Sequence, residues 1–153
     1  MPDVFSKAKR SEVMSRIRSH GNKDTEQRLA AVFRAHGITG WRRQVRLRLE
    51  KTSSHPGGAV RPDFVFRLQK LAVFVDGCFW HGCPEHFRRP QTRQKFWDAK
   101  IARNQARDAA VTRALRRKGW RVLRLWEHEL AVKREKRLVA RLLRLLSGGG
   151  VME

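Results

Sequence analysis

Arg61-Pro62-Asp63-Phe64-Val65-Phe66-Arg67-Leu68-Gln69-Lys70-Leu71-Ala72-Val73-Phe74-Val75 is the stretch from which the fold is read. Arg61–Leu68 is a strand with proline near its start, Gln69-Lys70 a tight hairpin connection, and Leu71–Val75 the returning strand. The second strand is apolar throughout, which places it near the centre of a sheet with both faces covered. A hairpin makes its strands antiparallel, so Asp63 at the start of the first meets Val75 and Asp76 at the end of the second. A carboxylate beside strand-end carbonyl oxygens is a hard oxygen site, suited to Mg²⁺. His81, a few residues on, is placed to activate water for attack on phosphorus.

The hairpin delivers Asp76-Gly77-Cys78-Phe79-Trp80-His81-Gly82-Cys83-Pro84-Glu85-His86, a loop that holds both cysteines of the chain. Cys78-x4-Cys83-x2-His86 has near metal-ligand spacing, with the sulfur and imidazole donors that zinc prefers. Three ligands leave a tetrahedron open, and the remaining histidines are His20, His36, His55, His81 and His128. His128 follows the strand that ends at Trp126, which must run alongside the same sheet, so Cys78, Cys83, His86 and His128 form the second constellation, with a structural role. Two buried cysteines among ordinary surface histidines is the plainer alternative. Two cysteines are too few for a disulfide scaffold, and a metal clip in a reducing compartment fits them better.

At 153 residues the chain is one domain, large enough to bury most of its apolar surface. Its 35 Lys and Arg against 14 Asp and Glu give a net charge of +21, and most of the cations are arginine. Such an imbalance implies a polyanionic partner, and arginine suits bidentate contact with phosphate. A membrane surface is the weaker candidate, because no run of 18 apolar residues exists and the N-terminus has no apolar signal core. Composition therefore predicts a soluble, intracellular protein that binds nucleic acid.

Outward from the hairpin, residues 1–20 are polar and basic, and Met14 and Ile17 make too thin an apolar stripe for a helix of its own. The segment reads as an arm that docks on DNA or as a frayed terminus. Asp24 or Thr25 caps the next helix, with Leu29, Val32 and Phe33 as its apolar face and Gly37 as its stop. Glu26 falls in the first turn, where the helix dipole favours a carboxylate, so capping is its default role. Trp41–Leu49 alternates as a half-exposed strand, and Glu50–Val60 is a flexible Ser-Ser-His-Pro-Gly-Gly loop.

Residues 92–118 form one long helix that Gly119 ends, with Phe96, Trp97, Ile101, Val111 and Leu115 apolar. Lys100, Asn104, Arg107 and Asp108 follow helical spacing and make one polar face, which is either solvated or lines a phosphate site. Trp120–Trp126 is a strand, and the last helix carries Leu138, Val139, Leu142, Leu143 and Leu146 on one stripe before a glycine tail. The element order α-β-β-β-α-β-α indicates an α/β domain with a mixed sheet.

Taken together, Asp-Gly-Cys-Phe-Trp-His-Gly-Cys-Pro-Glu-His, Arg-Pro-Asp-Phe, Phe-Trp-x-x-Lys-Ile-x-x-Asn-x-x-Arg-Asp and Gly-Trp-Arg-Val-Leu-x-x-Trp-Glu resemble the very-short-patch repair (Vsr) mismatch endonucleases. Ala8-x-Arg10-Ser11-x-x-Met14 and Thr25-Glu26-x-x-Leu29 extend the resemblance, which covers roughly residues 3–132. It implies a restriction-endonuclease-like fold of the PD-(D/E)xK superfamily: a single domain with a mixed central sheet, flanking helices and a structural zinc loop. It also implies an enzyme that nicks the thymine strand of T:G mismatches left by 5-methylcytosine deamination, with Mg²⁺ as cofactor. Double-stranded DNA is then the partner, mismatch-repair proteins are candidate recruits, and the protein is a monomer of the bacterial cytoplasm, associated with the nucleoid. The domain limits that follow are a DNA-contacting arm at 1–20, an endonuclease domain at 21–147 and a flexible tail at 148–153.

Carried over residue by residue, the resemblance makes Asp63 the metal-binding carboxylate, with the backbone carbonyl of Val75 beside it on the metal. His81 becomes the general base, Asp108 a supporting acid and Glu26 a carboxylate near the metal. Phe79, Trp80 and Trp97, with Met14 from the arm, become the aromatic wedge that enters the base stack; core packing is the alternative for the three aromatics. Some positions depart from the family. His128 stands where well-known members have a cysteine, which predicts a Cys2His2 zinc site. Asp76 replaces a histidine of some members, Val75 a threonine, and Val75-Asp76-Gly77 occupies the place of the superfamily's acid-x-lysine. A non-catalytic zinc-containing DNA-binding module and a restriction-like nuclease of other specificity are the rival readings.

Overall fold

The computed structural model describes residues 6–51 and 58–148, and for residues 10–23 the backbone alone. Helix α1 (Lys7–Ala35) opens with the Ser6 side chain accepting the Lys9 N–H at 3.2 Å. It then runs unbroken through Asp24 and Thr25, so the expected cap there, and with it the first-turn role of Glu26, does not hold. Leu29, Val32 and Phe33 anchor the C-terminal half in the core, and extending an existing helix avoids the costly nucleation step that a thin apolar stripe would have to offset. The expected arm at 1–20 is therefore continuous in backbone with the next element from Lys7 onward. The side chain of Met14 lies outside the described residues.

The expected strand at 41–49 is two: β1 (Trp41–Arg43) and β2 (Leu47–Arg48). Gln44 separates them with a φ of 55°, a left-handed conformation that no strand accommodates. Part of the expected loop is ordered as β3 (Ala59–Val60), antiparallel to β2, while its Ser-Ser-His-Pro-Gly portion at 53–57 lies outside the described residues. The hairpin is present as β4 (Phe64–Phe66) and β5 (Leu71–Asp76), antiparallel with Phe64 opposite Val73. Its turn is longer than the expected two residues: Lys70 N–H reaches the Arg67 carbonyl at 3.2 Å, and Leu68 is 91% exposed rather than in the strand.

Strand β6 (Arg121–Trp126) lies parallel to β5 in register Asp76 to Trp126, giving a mixed sheet in the order β1-β4-β5-β6. Side chains alternate across β5 as the pleat requires. Leu71 and Val73 join the core under α1 and α3 (Glu135–Ser147), while Ala72 and Phe74 face α2 (Gln94–Arg117). The domain is thus a mixed sheet with helices on both faces.

Helix α2 ends as its sequence predicts. Gly119, at φ 85°, donates to the Arg116 carbonyl and Trp120 donates to that of Leu115, a Schellman pair that needs a left-handed residue at glycine's place. Two apolar assignments change. Phe96 is 41% exposed on α2, and Leu143 is 50% exposed on α3. At about 100° per residue Leu143 falls about 140° round from Leu138, outside the sector occupied by Leu138, Val139 and Leu142. Among the described residues no helix is long and apolar enough to cross a membrane.

Candidate active site and metal centre

Strand β5 ends at Asp76, and the chain turns at once into the cysteine loop. The loop is held by its own backbone: His81 N–H to Gly77 carbonyl at 3.2 Å and Cys83 N–H to Cys78 carbonyl at 2.9 Å. Glu127, just past β6, accepts the Cys78 N–H at 3.0 Å. Parallel pairing of β5 with β6 therefore carries His128 to the cysteines. Cys78 Sγ lies 3.3 Å from His128 Nδ1, Cys83 Sγ lies 3.7 Å from the same atom, and Cys83 Sγ lies 3.8 Å from His86 Nδ1. One ligand atom from each of the four lies within 4.8 Å of every other. A tetrahedral zinc with ordinary bond lengths puts its sulfur and nitrogen donors about 3.6 Å apart, close to these three sulfur–nitrogen distances, so the four residues could hold a metal ion of that kind. Burial pushes the bare Cys78 thiol up to about 12, and the neighbouring Cys83 adds to this; a thiolate there requires a cation beside it.

On the α2 side of the sheet, a cleft of about 370 Å³ opens over the end of β5. Asp63, Asp76, His81, Arg107, Asp108 and Arg124 line it. Asp63 accepts the Val75 N–H at 2.7 Å, which places its carboxylate at the neighbouring strand as the hairpin requires. Burial is the main reason that its pKa rises from 3.8 to about 7; the Val75 N–H opposes the rise, and the carboxyls of Glu26 and Asp76 add to it. Glu26 is buried in the middle of α1 and is gripped by Arg43 at 2.5 Å and by the Gln44 amide at 2.7 Å. It lies beside the Asp63 carboxyl, away from the helix-dipole position that its spacing alone suggests.

His81 Nδ1 is hydrogen-bonded to the Asp108 carboxylate and lies 3.9 Å from Asp76. With Nδ1–H donating to Asp108, Nε2 is the basic nitrogen of the ring. Arg124 binds the other side of both acids: Nη1 to Asp76 at 3.0 and 3.3 Å, Nη2 to the Asp108 carbonyl at 3.2 Å and Nε to Thr112 Oγ1 at 3.0 Å. Its guanidinium also covers the Phe74 ring at 4.3 Å. Burial raises the Asp76 pKa, with Arg124 and then His81 pulling it back down and Asp108 pushing up.

The polar face of α2 is neither solvated nor turned to an outside phosphate throughout. Asn104 is buried, and its amide donates to the Trp80 carbonyl at 2.8 Å, so the expected direct DNA contact gives way to a clasp on the loop. Gln105 donates to the His81 carbonyl at 3.2 Å. Gly82 permits this approach: a Cβ there would stand 2.7 Å from the Gln105 amide and 2.9 Å from Ile101. Lys100 is half-buried on the same helix. Phe79, Trp80 and Trp97 form one aromatic cluster, with ring centres 5.1 to 5.9 Å apart, and belong to neither core cluster.

Sequence reasoning missed Arg124, Gln105, Arg43 and Gln44. Arg124 alone left a signal: a cation within a largely apolar strand, on the face that a helix covers, requires an acid beside it.

A family model described as DNA mismatch endonuclease Vsr matches residues 2–89. The chain is 44% identical over 122 residues to the type II nicking enzyme V.NaeI of Lentzea aerocolonigenes, across 80% of this chain and 69% of that protein. It is 38% identical over 130 residues to the DNA mismatch endonuclease Vsr of Escherichia coli (strain K12), across 83% and 74%. The type II nicking enzyme V.NmeDIP of Neisseria meningitidis serogroup C is also 38% identical, across 84% and 80%.

Proposed function

Since the chain belongs to the DNA mismatch endonuclease Vsr family and is a DNA endonuclease, we propose that its cleft nicks the thymine strand of a T:G mismatch by metal-assisted hydrolysis. The convergence of Asp63, His81 and Asp108 on one cleft carries the reading. Asp63, with the Val75 backbone, is the place for Mg²⁺: hard oxygen donors sit there, and a bound cation offsets the cost of a carboxylate whose pKa burial, and after it the Glu26 and Asp76 carboxyls, hold up. Asp76 and Asp108 are the less suitable acids, being already occupied by Arg124 and His81. A bound Mg²⁺ supplies charge stabilisation at the phosphoryl oxygens. His81 takes a proton from water at Nε2 while Asp108 fixes the ring; the water oxygen bonds to phosphorus as the bond to the leaving sugar oxygen breaks.

Cys78, Cys83, His86 and His128 hold a zinc ion that pins the loop and hence His81; the sulfur–nitrogen distances support this assignment. The half-buried Phe79, Trp80 and Trp97 cluster, together with Met14, serves as the wedge at the mispaired step, where unstacking costs least. Lys100 is the phosphate contact on α2. The antiparallel β4–β5 hairpin followed by parallel β6 supports a restriction-endonuclease-like fold. Residues 1–20 contact DNA, 21–147 form the nuclease domain and 148–153 the tail. The protein acts as a monomer in the bacterial cytoplasm at the nucleoid, with mismatch-repair proteins as candidate recruits.

The test is a nicking assay on T:G and fully paired duplexes, each strand labelled, with and without Mg²⁺. We expect cutting of the thymine strand of the mispaired duplex, in the presence of metal alone. Equal cutting of paired duplex, or a cut in the guanine strand, overturns the reading. The same assay, repeated with varied bases beside the mismatch, reads the flanking sequence that the protein prefers.

A further inference from the structure

On the sheet face opposite the cleft, a groove of about 210 Å³ is lined by Glu129, Arg134, Arg137, Leu138, Arg141 and Arg144. Its one acid is already engaged: Glu129 accepts the Trp126 N–H at 2.7 Å and Arg141 at 3.4 Å. Arg134, Arg137 and Arg144 make no side-chain hydrogen bond or ion pair among the described residues. Scattered cations on a solvated helix avoid one another, whereas these converge on a single concavity. Their spacing of three or four residues keeps them on one side of α3, along about 15 Å of helix axis, the rise of about four base pairs of duplex. A run of phosphates matches that stripe better than one small anion does.

We propose that this groove is a second, sequence-independent site for the DNA backbone, occupied by duplex flanking the part held in the cleft. Leu138 and its neighbours turn the inner side of α3 onto the α1 face of the sheet, while the cleft opens on the α2 face. A duplex confined to the cleft cannot reach the groove. A longer one passes round the end of β6, where Trp126 leads into Glu129. The proposal rests on the chain acting on DNA and not on its mismatch specificity.

The test compares the unaltered protein with an Arg134→Ala, Arg137→Ala, Arg144→Ala variant; Arg141 is kept because it braces Glu129. Binding is measured by fluorescence anisotropy, without Mg²⁺, against salt concentration. Two paired duplexes are used, of about 12 and about 30 base pairs, against a domain whose radius of gyration is about 15 Å. On the long duplex the variant is expected to lose about 2 to 3 units of the slope of log affinity against log salt, near 0.9 per phosphate contact removed. On the short duplex the slope stays as in the unaltered protein. An unchanged slope on the long duplex, or an equal loss on both, overturns the proposal. Nicking of a mispaired 12-base-pair duplex is followed in parallel: its absence in the unaltered protein sinks the reading of the cleft and leaves the binding comparison standing.

Discussion

Arg124→Leu separates a charge-balanced cleft from a merely crowded one. Arg124 contributes the cation between Asp76 and Asp108, and the paired side chains of Arg124 and Asp76 are 23% and 11% exposed. Removing one partner of such a pair leaves an uncompensated charge at a cost of about 3–5 kcal/mol. For a domain of this size each kcal/mol lowers the melting temperature by about 2–4 °C, so the loss is about 6–20 °C. Leucine keeps an apolar side chain against Phe74, which isolates the electrostatic part. Asp76 already has a raised pKa, and loss of Arg124 raises it further, so the folded state holds a proton that the unfolded chain releases. The Asp76 part of the penalty is therefore absent below the unfolded pKa, grows as pH rises towards the folded one, and makes the whole greater at pH 8 than at pH 5. In an Asp76→Asn background the same leucine costs much less, which a double-mutant cycle reads directly. Melting curves of the four proteins at both pH values test this. A deficit under about 1 kcal/mol, or one that is equal at both pH values and in both backgrounds, refutes the reasoning.

Three further outcomes follow from the same geometry. Freshly purified protein should carry one zinc per chain by mass spectrometry, and chelation should unfold it or lower its melting point sharply, since such sites contribute on the order of 10 kcal/mol; an unchanged melting curve counts against the site. In zinc-loaded protein without Mg²⁺ the raised Asp63 pKa removes stability as pH climbs from about 4 to 7, a decline that Asp63→Asn abolishes and Mg²⁺ offsets at the upper end; identical pH–melting profiles for the two proteins argue against a protonated Asp63. Asn104→Ala removes one hydrogen bond to the Trp80 carbonyl, a loss of about 0.5–1.5 kcal/mol, and should slow nicking while leaving the salt dependence of DNA binding unchanged; a shallower salt slope would return Asn104 to the DNA surface.

The parts of this molecule legible in the sequence are those written in short-range pattern. The β4–β5 hairpin, the apolar run of β5, the glycine stop of α2 and the Cys-x4-Cys-x2-His spacing each follow from neighbouring residues. Placing His128 with the cysteines needed only the inference that the strand before it joins the same sheet. What stayed hidden depends on tertiary context. The N-terminal half of α1 propagates from a packed C-terminal half, so its own composition does not decide it. Gln44 breaks a strand and turns its amide to Glu26, a partner 18 residues away. Asn104, Gln105 and Arg124 have the composition of a wet helix face and an edge strand. They are drawn inward by loop carbonyls and by two acids that only the completed sheet brings near.

The most direct measurement is the single-turnover nicking rate of a T:G duplex, at saturating protein and Mg²⁺, for Asp63→Asn and His81→Gln beside the unaltered enzyme. Removal of a metal carboxylate or of a general base is expected to lower the rate by at least about 10²-fold, with DNA affinity and melting behaviour close to those of the parent. Rates within a few-fold of the parent for either variant, with folding intact, would contradict the assignment of the cleft.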